Sequence, residues 1–207
     1  MRIDYWVKKY DQMKKKIKVY VAGKVSKESV FGTEFWRDDF CNELSEKTGF
    51  EIINLDPTKS HENFDLDENN SNFIFGRDCF MIKSADLVIV NLTDDISVGG
   101  SQEMLIAKYF KKPLLAIASK EGKFVKSKKR IYGKVYKDWV HPFVDVICDK
   151  IIHNIDEASE WIVEFFIKKG KGKVKDIDLI EENIKHYIDN FFDKDEYLKK
   201  IFNQSNL

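Results

Sequence analysis

Residues Ser84–Pro113 read SADLVIVNLTDDISVGGSQEMLIAKYFKKP. Leu87-Val88-Ile89-Val90 is an uninterrupted apolar run, β-branched and without alternation, followed by Asn91 and Leu92. Such a run predicts a strand buried on both faces, the pattern of a parallel sheet. Thr93, Asp94 and Asp95 then give a polar turn, and Ser97-Val98-Gly99-Gly100-Ser101 opens a helix carrying Glu103, Met104, Ile106, Ala107 and Phe110. Strand, Gly-Ser loop and helix N-terminus together point backbone N–H groups at the carboxyl edge of a sheet, where an anion binds. Glu103 is expected in the first turn, beside whatever the loop holds.

The same alternation continues on both sides. Upstream, Ile17–Ala22 predicts a first strand ending at Gly23, with a loop from Gly23 to Gly32. A helix capped by Thr33 carries Phe35, Trp36, Phe40 and Leu44, and Gly49 closes it. Phe50–Leu55 is a second strand, and 56–72 a long acidic loop of the kind that serves as a lid. A helix from Phe73 leads into the central strand. Downstream, Leu114–Ala118 is a fourth strand, and Val144–Cys148 with Ile151 and Ile152 a fifth strand region. Lys120–Lys137 holds eight basic residues against Glu121 alone. It reads as a solvated loop, with contact to an anionic substrate as the sharper alternative. Asp156 is expected to cap a helix bearing Trp161, Ile162 and Phe166.

Strands alternating with helices predict βαβ units with right-handed crossovers. The expected fold is an α/β three-layer sandwich, flavodoxin-like or Rossmann-like, on a five-stranded parallel sheet of order 2-1-3-4-5. Residues 1–16 form an N-terminal arm, 17–169 the α/β domain and 170–207 a C-terminal helical extension with Ile180, Ile184, Tyr187 and Ile188 at helical spacing. In this order the switch point lies between the first and third strands, so the Gly23 and Ser97–Gly100 loops face one cleft.

Thirty-five basic residues balance thirty-five acidic ones, which argues against a general nucleic-acid or membrane-surface binder. No stretch approaches the roughly 20 apolar residues of a spanning helix. The three cysteines are scattered without a CxxC pair, so a reduced, cytoplasmic protein without structural zinc is expected. Histidines fall at 61, 141, 153 and 186 with no triad or metal-ligand spacing. Three carboxylates compete for a role. Glu103 has the best position, Asp78 lies early on the helix before the central strand, and Asp95 sits in the loop. The bland alternative for Glu103 is a helix-dipole partner, worth roughly 0.3–1 kcal/mol.

Lys18–Gly23, Arg77-Asp78, Ala85–Asn91, Ser97-Val98-Gly99, Glu103 and Lys112-Pro113 together resemble the nucleoside 2-deoxyribosyltransferase family, including its nucleoside 5′-monophosphate N-glycosidase branch. The resemblance implies cleavage or exchange of the N-glycosidic bond of a (deoxy)nucleoside or nucleotide, with no metal or organic cofactor. It implies Glu103 as nucleophile, Asp78 as its accompanying acid, and a small-molecule substrate in a homodimer or higher oligomer. The branches differ six residues before the glutamate, aspartate in the transferases and a phosphate-contacting serine in the hydrolases. This chain has Ser97 there. The implied substrate and phosphate contacts are Gly23, Lys24, Ser97, Gly99 and Ser101. Two alternatives stand beside this one: a non-catalytic nucleotide-binding signalling module, and a glutamate-dependent NAD glycohydrolase of TIR-like architecture.

Overall fold

A computed structural model describes residues 15–23, 36–59, 69–167 and 174–204. Parallel strands β1 (Lys16–Ala22), β2 (Glu51–Leu55), β3 (Leu87–Leu92), β4 (Leu114–Ala118) and β7 (Lys150–Ile152) form a sheet of order β2-β1-β3-β4-β7. It is the expected doubly wound sheet, with the switch point between β1 and β3. Helices α1 (Trp36–Thr48) and α5 (Ile155–Ile167) cover one face. The other carries α2 (Ser71–Ser84), α3 (Val98–Tyr109) and the short α4 (Pro142–Ile147).

The layering follows from the residues. In β1, β3 and β4 nearly every side chain is buried, so alternate residues feed two separate cores. Val19 and Val21 of β1 pack with Trp36, Phe40 and Leu44 of α1 and with Ile162 of α5. Tyr20 and Ala22 point the opposite way, into the core shared with Ile82, Met104 and Ala107. Edge strand β2 is only half buried.

Local signals set the helix ends. Gly49 takes φ +72°, which spares α1 a strained C-terminal residue, and its N–H donates to the Ser45 carbonyl at 3.0 Å. Asn70 Oδ1 accepts from Phe73 N at 3.1 Å, so α2 begins at Ser71, two residues before the expected start. Asn154, not Asp156, caps α5, accepting from Glu157 N at 2.8 Å. The expected Thr33 cap, the N-terminal arm through residue 14 and most of the acidic loop lie outside the described residues.

The fifth strand and the basic stretch also differ from expectation. Residues 144–147 are helical: Pro142 at the start of α4 has its φ pre-set for a helix, and the fifth sheet strand is Lys150–Ile152. The Lys120–Lys137 stretch is no irregular loop. It holds the strands of an antiparallel hairpin, β5 (Val125–Ile131) and β6 (Lys134–Val140), turned at Tyr132-Gly133. Both turn residues have positive φ, 47° and 78°, the signature of a type I′ turn whose twist matches its strands.

The C-terminal extension is helical as expected, with α6 (Leu179–Asn190), a 3₁₀ turn (Phe192–Lys194) and α7 (Glu196–Gln204). A polar clamp ties its start to the domain. Asp149 accepts from the buried ammonium of Lys108 and from Leu114 N through one oxygen, and from Lys175 N at 2.7 Å through the other. Lys175 in turn donates to the Asp145 and Cys148 carbonyls at 2.9 and 2.7 Å. Among the described residues no helix is long and apolar enough to cross a membrane, and no group of His, Cys, Asp or Glu is arranged to hold a metal ion.

Candidate active site

The switch point is a place of close approach. A Cβ on Gly23, at the end of β1, would lie 3.1 Å from Asn91 Cβ and 3.3 Å from the Trp36 ring. Only glycine lets the β1 terminus lie this close to β3. Arg37 secures the same terminus, donating from Nε to the Val21 carbonyl at 3.0 Å and from Nη2 to the Gly23 carbonyl at 2.8 Å. Its guanidinium stacks 4.6 Å from the Trp36 ring centroid, and its Nη1 is buried without a hydrogen-bond partner among the described residues.

Glu103 lies in the second turn of α3, one turn later than expected, because the helix begins at Val98. With 100° per residue, Gly99, Gly100 and Ala107 share its inward face. Its Oε1 accepts a 2.9 Å hydrogen bond from Tyr20 Oη. Nothing in the sequence singled out Tyr20. The one available signal is a phenol among the aliphatic side chains at the buried positions of β1, since a buried Tyr O–H needs a partner. A Cβ on Gly99 would stand 3.7 Å from Glu103 Oε1, so the absent side chain leaves that carboxylate uncovered on the loop side.

Asp78 projects from α2, which packs beside α3. Burial pushes both carboxyls above the ordinary range, and the charge of Asp78 pushes Glu103 further. The Tyr20 hydrogen bond and the Arg37 charge act the other way on Glu103, holding it toward the ionised form. Arg77 likewise favours ionised Asp78. Burial first, then the two carboxylates, keep the Tyr20 phenol protonated well beyond its ordinary value. The result is a neutral donor fixed on a carboxyl group whose proton affinity burial raises, next to a second such carboxyl.

Ser97 caps α3, with Oγ accepting from Gly100 N at 3.0 Å, while its carbonyl accepts from Ser101 N at 3.1 Å. Among the described residues, the hydroxyl hydrogen of Ser97 and the Val98 and Gly99 N–H groups meet no acceptor, as expected of a helix's first turn. Ser101 is turned about 200° from Glu103 around the helix. Its hydroxyl donates to the Val98 carbonyl at 2.8 Å, and it borders an apolar groove with Leu105 and Phe143. Asp95 is exposed and paired with Lys123 at 2.7 Å. Lys24 lies outside the described residues.

No protein-family model matches the chain, and no curated protein matches it in sequence. Solved structures are similar to it. A conserved protein from Enterococcus faecalis V583 aligns with a TM-score of 0.53 at 14% identity, over 72% of this chain and 99% of that one. The shared property is the fold. A 2-deoxyribosyltransferase from Bacillus psychrosaccharolyticus aligns with a TM-score of 0.47 at 13% identity, over 77% of this chain and 98% of that one. A CMP N-glycosidase from Clostridium botulinum gives a TM-score of 0.39 at 18% identity, over 70% and 97%.

Proposed function

We propose that the chain breaks the N-glycosidic bond of a nucleoside or nucleoside 5′-monophosphate, with Glu103 as nucleophile. The observation that carries this reading is the 2.9 Å hydrogen bond from Tyr20 to Glu103 at the switch-point edge of the sheet, beside Asp78. Departure of the base leaves an oxocarbenium-like sugar, which a fixed carboxylate below C1′ traps as a glycosyl ester. Tyr20 orients the attacking carboxylate by occupying one side of Oε1. Asp78, with its raised proton affinity, supplies a proton to the leaving base and later deprotonates the incoming water or base. Arg37 fixes the β1 terminus and favours ionised Glu103.

Ser97 and the first N–H groups of α3 are the phosphate cradle in this reading, with Gly23 and Gly99 giving the sugar room. A charge-assisted bond there contributes roughly 1.5–3 kcal/mol, which favours a monophosphate over a free nucleoside. The working form is a homo-oligomer: Ile180, Ile184 and Ile188 of α6 are 42–54% exposed, a stripe that a second copy would cover. Incubation with deoxynucleosides, nucleoside 5′-monophosphates and NAD, followed by chromatography for free base, tests the proposal. Base from a monophosphate is expected. Nicotinamide alone would move the assignment to an NAD glycohydrolase, and no base at all to a binding module.

A further inference from the structure

The β5–β6 hairpin takes no part in that chemistry, yet its composition is extreme for a chain of zero net charge. Residues 125–140 contain six Lys or Arg and one Asp. Lys128 and Lys137 stand directly opposite each other in the ladder, an arrangement that destabilises a strand pair. Lys123 at the hairpin's base is neutralised by Asp95. Lys128, Lys129, Arg130, Lys134 and Lys137 have no ion pair among the described residues, and most of this stretch is exposed. A two-stranded ribbon is marginal alone, and this one adds like-charge repulsion. Balance across the whole sequence conceals this segregation.

Aromatic rings are interleaved with the charges. Tyr132 at the tip is fully exposed at 102%, in a left-handed conformation that bulky residues rarely adopt. Tyr136 is 45% exposed. Lys129 lies 3.3 Å from the Trp139 ring centroid, which holds that cation upright on the ribbon. The hairpin follows β4, so it leaves the sheet from the carboxyl edge, the edge that also carries Glu103. Its two strands of seven residues span about 20 Å.

We infer that the β5–β6 ribbon is a binding surface for single-stranded nucleic acid. Lys128, Arg130 and Lys137 share one face of the ribbon and, with Lys134 beside the turn, contact successive phosphates, while the exposed Tyr132 at the tip stacks on a base. A lipid surface fits less well, because the tip offers a phenol and a glycine rather than aliphatic side chains to bury. Competition by polyglutamate separates an acidic protein partner, which would also use the rings, from a single strand. Stacking plus cations is the usual design of sequence-tolerant single-strand sites.

The test is fluorescence anisotropy of a labelled 20-mer of thymidylate with the full chain at several salt concentrations. Binding in the micromolar range is expected near 50 mM salt, with a log–log salt slope of about −3, since each phosphate contact contributes about −0.7. Lys128→Glu faces Lys137 with an opposite charge, so it should leave the melting temperature equal or higher while weakening binding at least fivefold. Arg130→Gln with Lys134→Gln provides a second charge removal near the tip, and should flatten the slope by about 1.4. Tyr132→Ala should weaken the single strand several-fold and spare a duplex of the same length. Unchanged affinity in both charge variants would overturn the inference. So would equal competition by polyglutamate at matched charge, or binding to phosphatidylserine vesicles in place of the oligonucleotide. The readout is oligonucleotide binding, so it stands or falls separately from the role of Glu103.

Discussion

Tyr20, Glu103 and Asp78 make opposing demands on one proton equilibrium, and the pH profile should separate them. If ionised Glu103 is the nucleophile, the acid limb of kcat/KM follows its pKa, which burial raises. Asp78→Asn removes a negative charge that raises that pKa, so the limb should move to lower pH while kcat falls far more than KM changes. Tyr20→Phe removes a hydrogen bond that lowers it, so the limb should move to higher pH. A pH–rate series on the three proteins checks both signs, and shifts in the same direction would refute the shared equilibrium. Stability follows the same logic. A carboxyl with a raised folded pKa stabilises the fold below its ordinary pKa and loses that contribution as pH rises through the folded value. Glu103→Gln should therefore melt higher than wild type at pH 7, with the gap closing toward pH 4. Each kcal/mol is worth roughly 2–4 °C in a chain this size. At Ser97, aspartate would still cap α3 while repelling a phosphate. Ser97→Asp should cut kcat/KM for a 5′-monophosphate about ten- to a hundredfold, roughly 1.4 kcal/mol per decade, and spare the free nucleoside.

Among the elements, the Asp149 clamp is the clearest mechanical joint, because it bonds α3, the start of β4 and the extension at once. Asp149→Ala leaves Lys108 charged in a site where it is 0% exposed, which should cost about 3–5 kcal/mol in urea unfolding. It should also release the segment at Lys175, making the extension the first place cut by protease. Replacing Lys108 and Asp149 together by Met and Leu should recover the stability but not the anchorage. None of this joint was legible beforehand, because its members are 41 and 26 residues apart and each reads alone as a surface charge. The central strands were legible for the opposite reason. Leu87–Val90 and Leu114–Ala118 are buried on both faces, so their composition carries the whole signal. The hairpin is hidden in the sequence because lysines occupy positions where alternation would otherwise show. Val144–Cys148 reads as a strand in sequence but folds largely as a helix, because a short apolar run suits a buried helical turn as well as a strand.

For the whole molecule, the strand order was predictable once five strands were granted, and that order is what places Gly23 opposite the Ser97 loop. Glu103 and Asp78 were accessible from spacing and resemblance. Tyr20 and Arg37 were not, since their relation to Glu103 exists only after β1 is flanked by α1 on one face and α3 on the other. The exposed stripe of α6 bears on assembly. Light scattering should give at least twice the chain mass of 24.4 kDa, and a strict monomer at micromolar concentration would contradict the proposed oligomer.

The central claim is that Glu103 bonds to the sugar. Rapid acid quenching of the enzyme during turnover of a 2′-deoxynucleoside 5′-monophosphate, followed by protease digestion and mass spectrometry, tests it most directly. A peptide containing Glu103 that is heavier by one deoxyribose-phosphate residue is expected, and it should be absent in Glu103→Gln. Base release at an undiminished rate by Glu103→Gln, or an adduct on another side chain, would contradict it.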